Sequence, residues 1–164
     1  MRKTAIFILG LLILSGCGIY SLSGANIEGK TINIHTFKNR AANVAPVLAT
    51  SLSNKIREQI LSQTGLTPVN TDHADYDLEG VITGYNVNIS GMQSQTEASQ
   101  NRLTITVEIT FTNTIDEKSS FKQTFSRFAD FPANQQLQSV ENKLIDDIGN
   151  QLAEDIFNKA FVNW

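Results

Sequence analysis

The sequence predicts an α+β domain: a two-layer sandwich with two helices on one face of a four-stranded mixed sheet, in the order β-α-β-β-β-α. Three patterns carry this. Leu103, Ile105, Val107, Ile109 and Phe111 alternate without exception with Thr104, Thr106, Glu108, Thr110 and Thr112, the period-two mark of a strand covered on one face. Val44, Val47, Leu48, Leu52, Ile56 and Ile60 recur at three- and four-residue steps, as do Leu137, Val140, Leu144, Ile148, Leu152 and Ile156. Each of these two segments is therefore a helix with one apolar stripe. One-faced helices and a one-faced sheet hide their apolar surfaces by stacking on each other.

Taken in order, the chain begins with Arg2 and Lys3 and an apolar run from Ala5 to Leu14, closed by Leu14-Ser15-Gly16-Cys17. The run has the length of a signal-peptide core and falls far short of the roughly 20 residues that span a bilayer. Small residues before a cysteine suit peptidase access and lipid transfer to the thiol, so residues 1–16 read as a cleaved lipoprotein signal and Cys17 as the lipidation site. Stable anchoring takes more than one acyl chain, which a diacylglyceryl group with an N-acyl chain supplies. Residues 17–29 then form a lipidated tether, rich in glycine and small polar residues, and residues 30–164 a single domain. Of 13 Lys+Arg and 16 Asp+Glu, cleavage removes Arg2 and Lys3, leaving 11 against 16, or −5. That balance gives no global attraction to nucleic acid. Cys17 is the sole cysteine, which leaves no intramolecular disulfide to form.

Lys30 to Phe37 alternates as a first strand. Asn43 is the expected cap of the first helix, Pro46 falls in its first turn and Gly65 ends it. Thr67 to Asn70 is a loop or strand start around Pro68. In the extended run Tyr76 to Ile89 the apolar set changes parity between Leu78/Ile82 and Tyr85/Val87/Ile89, which predicts a bulge near Thr83. Residues 90–101 read as a polar hairpin loop. Keeping both apolar rows on one face sets Phe111 opposite Phe121 and Val107 opposite Phe125; this requires an odd-numbered loop, most simply Ile115-Asp116-Glu117, and excludes a two-residue turn. Continued unbroken, that register aims Arg127 at the core and Phe128 outward, so a second bulge is expected near Ser126. The last helix starts between Asn134 and Ser139, with Gly149 permitting a close approach to the sheet.

The sequence carries no persuasive catalytic constellation. His35 and His73 lack partners at zinc-ligand spacing. Asp72, His73, Asp75, Asp77 and Glu79 form the densest acidic cluster, read first as a solvated strand edge and second as a divalent-cation site. No Gly-x-Ser-x-Gly elbow and no phosphate-binding glycine loop is present. Arg102, Lys118, Lys122 and Arg127 near the strongest hairpin either keep its edge soluble or meet phosphates of a lipid headgroup. The threonine row 104–112 is either solvated or a wet protein interface. Phe161 and Trp164 read as packing under the last helix or as a contact with partner or lipid.

Cys17-Gly18-Ile19-Tyr20-Ser21-Leu22-Ser23-Gly24, Lys30-Thr31-Ile32-Asn33-Ile34 with Phe37-Lys38-Asn39-Arg40-Ala41, and Ala74 to Ile82 together resemble the lipopolysaccharide-assembly lipoprotein LptE family. The resemblance spans nearly all of the chain after Cys17 and rests on order and spacing, not on a catalytic signature. It implies a lipid-anchored, periplasm-facing outer-membrane lipoprotein. It also implies a non-enzymatic plug of an LptD-type outer-membrane β-barrel that assists lipopolysaccharide assembly, with no cofactor beyond the lipid on Cys17. Arg102, Lys122 and Arg127 are the position-based candidates for lipopolysaccharide phosphates. The alternatives are a periplasmic lipoprotein binding a small ligand or divalent cation and, last, a hydrolase with dispersed residues.

Overall fold

The computed structural model of the protein describes residues 27–42, 45–90 and 100–162. Cys17, Asn43, Val44, Trp164 and most of the hairpin loop lie outside them. The described elements are β1 (Thr31–Ile34), β2 (Lys38–Asn39), α1 (Leu48–Thr64), β3 (Thr67–Pro68), β4 (Tyr76–Ser90), β5 (Gln100–Asn113), a 3-10 turn (Glu117–Ser119), β6 (Phe121–Pro132) and α2 (Leu137–Phe161). The α+β class and the two helices hold, but the sheet has six strands, in the order β3-β1-β4-β5-β6 with β2 also on β4.

Two local features account for the extra strands. The expected first strand is interrupted: β1 pairs in parallel with the start of β4 (Ile32 opposite Tyr76), and β2 pairs with it further on (Lys38 opposite Val81). Between them the Phe37 ring turns inward over Gly80, where an added Cβ would come within 2.5 Å of the ring. The Phe37 amide donates to the buried Ser53 hydroxyl oxygen at 2.9 Å, tying this crossing to α1. The second feature is the Pro68 segment, which forms the two-residue edge strand β3, parallel to β1. Proline has no N–H to give a further neighbour, so an edge is where it fits.

In β4 the pairing shifts between Ile82 and Gly84, as the parity change predicts, which keeps Tyr85 on the same covered face as Ile82. Phe111 stands opposite Phe121 and Val107 opposite Phe125. The connection runs over residues 114–120, an odd count but longer than three, because Asn113 accepts from the amides of Ile115 and Asp116 (both 3.0 Å) and Asp116 caps the 3-10 turn.

No bulge occurs at Ser126: the register continues through Arg127 opposite Ile105. Arg127 does reach the helix side, but β6 is an edge strand, and there its guanidinium meets Asp155 of α2 with two hydrogen bonds of 2.5 and 2.6 Å. An arginine at a layer's rim needs only a partner and water, so no bulge is required to expel it.

Helix α1 starts at Leu48 with Val47 as its cap position and no side-chain cap bond; Val47 is exposed, outside the stripe expected of it. Gly65 ends the helix at φ 67°, where its amide donates to the Leu61 carbonyl. Leu48, Leu52, Ile56 and Ile60 of α1 and Leu144, Ile148, Leu152 and Ile156 of α2 are buried in one core with the inner row of the sheet. Each such side chain contributes roughly 1.5–3 kcal/mol of burial. Gly149 faces Leu52 and Lys55 of α1, so the close approach it permits is between helices and not to the sheet. Phe161 is buried edge-on against Tyr76 and Phe111, closing the core at the end of α2.

Candidate interaction surface

Alternation forces every second residue of β4, β5 and β6 onto the sheet face away from the helices. That open face carries Thr104, Thr106, Glu108 and Thr110 of β5 beside Lys122, Thr124, Ser126 and Phe128 of β6. It is cross-linked by side chains: Thr106 and Ser126 hydroxyls lie 3.0 Å apart and Lys122 meets Glu108 at 3.0 Å. Arg102 donates twice to Asp130, at 2.7 and 2.8 Å, and lays its guanidinium 3.6 Å over the Phe128 ring. That pairing holds the Asp130 carboxyl below the usual range and pushes Arg102 up, the hydrogen bonds being the largest cause in both. Phe128, at 47% exposure, is thus an outward ring with a cation on it.

The three candidate cations are not gathered. Arg102 and Lys122 share the open face but stand about 26 Å apart along it, eight residues at roughly 3.3 Å each. Arg127 is on the other face, against Asp155, which raises its pKa through their hydrogen bonds. All three already have a carboxylate partner.

Beyond the helices the β4–β5 hairpin projects. Val87 and Ile89 lie on the helix-side face by register yet are 40% and 71% exposed. Where the projection begins, Tyr85 donates its hydroxyl to Glu141 of α2, and its pKa is raised, first by burial and then by that bond.

The acidic cluster divides. Asp72 and His73 lie exposed in the turn before β4. Asp75 accepts from the amides of Lys30 (2.8 Å) and Thr31 (2.9 Å) and from the Thr31 hydroxyl (2.9 Å), bonds that lower its pKa and staple the start of β1 to β4. Asp77 and Glu79 point to the open face, where His35 joins them from just beyond β1. His35 Nε2 is 2.9 Å from Asp77 Oδ1, and Asn33 Nδ2 is 3.0 Å from each. Sequence spacing hid this grouping because it looks for ligands nearby in the chain, whereas parallel pairing brings His35 to residues 42 positions away.

Among known proteins, the family described as LptE: Lipopolysaccharide-assembly matches residues 29–160. No curated protein matches in sequence. Several solved structures share the fold. A minor lipoprotein from Acinetobacter baumannii superposes at TM-score 0.53 and 15% identity, covering 81% of this chain and 93% of its own. Rare lipoprotein B from Shewanella oneidensis gives 0.52 at 11%, covering 78% and 91%. An uncharacterized lipoprotein B from Nitrosomonas europaea gives 0.51 at 12%, covering 80% and 81%.

Proposed function

The chain belongs to the LptE lipopolysaccharide-assembly family, and from that premise we propose that it acts as a non-enzymatic, lipid-anchored plug of an LptD-type β-barrel in the outer membrane. The family match over residues 29–160 carries the reading. Two features of the surface support it. A face of threonine and serine hydroxyls beside internally paired charges suits a wet interface with a barrel wall. No described helix is long and apolar enough to cross a membrane, so in this reading the acyl chains on Cys17 make the attachment. Arg102 and Lys122 exchange their carboxylate partners for lipopolysaccharide phosphates in the proposal; Arg127, tied to Asp155 on the far face, serves a separate contact.

The test is extraction of the full lipidated chain in mild detergent. Co-purification with an outer-membrane barrel of LptD type is expected, and recovery of a free monomer while other barrel complexes stay intact would sink the reading. Cys17→Ala should release the protein from the membrane fraction and leave its far-UV circular dichroism unchanged, since the domain begins near Lys30.

A further inference from the structure

Asn33, His35, Asp77 and Glu79 form a two-by-two block on the open face. Asn33 stands opposite Asp77 in the parallel pairing of β1 and β4. The His35 amide, donating to the Leu78 carbonyl at 3.0 Å, carries that alignment two residues on and sets His35 beside Glu79. One ligand-capable atom from each of His35, Asp77 and Glu79 lies within 4.8 Å of the other two.

Either a proton on His35 Nε2 or a metal ion can close the inner triangle. His35 Nε2 offers either a proton or a lone pair. With a proton it donates to Asp77 Oδ1 beside the Asn33 amide, so that one carboxylate oxygen accepts both donors. With a lone pair it accepts from Asn33 but faces the Asp77 carboxylate oxygen, lone pair against lone pair, at 2.9 Å. Asn33 is only 4% exposed and is held beside both side chains. In the lone-pair arrangement, however, His35 Nε2 and Asp77 Oδ1 stand close to the spacing of neighbouring ligands on one metal: bonds of about 2.0–2.1 Å at tetrahedral angles put ligands roughly 3.3 Å apart. Asn33 Nδ2 then donates to Asp77 and orients it, the supporting contact that metal-binding carboxylates ordinarily have.

The geometry points to a divalent transition-metal site with His35 Nε2, Asp77 and Glu79 as ligands and a fourth position open to water. The side chains of His35 and Asp77 are 38% and 29% exposed and Glu79 is exposed, enough for an ion to enter. Neutral histidine with two carboxylates balances a 2+ charge, and Lys38 lines the same hollow as His35 and Glu79. A donor set containing imidazole favours zinc over calcium, which takes oxygen ligands.

This site does not depend on the lipopolysaccharide-assembly reading. The full lipidated chain, free of any histidine tag and held in detergent, is dialysed against zinc chloride and its metal content measured, with cobalt(II) as a visible-absorption probe. One zinc per chain is expected, with a rise in Tm. Both His35→Gln and Glu79→Gln should weaken zinc binding about tenfold or more, while His73→Gln leaves it unchanged. Glu79 is exposed, so its substitution tests the site even if His35→Gln perturbs the fold. Uptake well below one zinc per chain, or Glu79→Gln binding zinc as the parent does, overturns the assignment.

Discussion

Ile109 and Ile89 occupy the same side of one antiparallel hairpin, yet Ile109 is fully buried and Ile89 is 71% exposed. The difference lies in what stands above them. Ile109 lies in the core that both helices share with the sheet, whereas the β4–β5 hairpin runs on to Val87 and Ile89, which that core does not include. Alternation is a property of a strand and assigns faces; coverage is a property of the layer above and assigns energy.

The largest way to sharpen that contrast is to truncate both ends. Ile109→Ala should cost about 2–5 kcal/mol in urea unfolding, and Ile89→Ala no more than roughly 0.5 kcal/mol. A comparable loss at Ile89 would mean that the projecting end is covered after all. Gly80→Ala comes next. A methyl group there collides with the Phe37 ring, and overpacking of this kind should cost about 1–3 kcal/mol, read by the same unfolding curves.

The third expectation concerns the Asp75 staple at the covered end. Its pKa is lowered in the folded chain, so its contribution is fully present above the unfolded carboxylate value near 3.8 and is lost as pH falls through the folded one. The Asp75-dependent part of Tm should therefore fall as pH drops below about 3.8, and less steeply in Asp75→Asn; parallel curves for the two would remove Asp75 from the account. Smallest is the rim pair. A double-mutant cycle on Arg127→Ala and Asp155→Ala should return only a small coupling, as for an exposed ion pair. A large coupling would mean that Arg127 is part of the covered region.

Much of this was legible in the residues. The parity change around Thr83 marks the shifted pairing, and the demand that Phe111 and Phe121 share a face sets the register of β5 on β6. Both are local consequences of the period of two. The bulge expected at Ser126 failed because the rule that expels a charge from a core says nothing about whether the position is core or rim, and Asp155 lies 28 residues further on. The interruption at Phe37 was missed, and the Pro68 segment was legible only as a loop or strand start, for a related reason: two-residue strands exist only by virtue of a neighbour. The acidic cluster was visible, but its division was not. Asp75 and Asp77 look alike in the chain, and only the position of β1 makes one a staple and the other a companion of His35.

That position has a consequence for how the molecule assembles. The hairpins β4–β5 and β5–β6 join residues close in sequence, whereas β1 meets β4 only after a loop of more than forty residues has closed, and closing it costs chain entropy before any contact repays it. The three-stranded meander is therefore expected to form early, with the β1–β3 strip joining it last. In native-state hydrogen exchange the amide of His35 should open at lower free energy than that of Val107. The surface bearing His35, Asp77 and Glu79 would then be the last to form and the first to loosen.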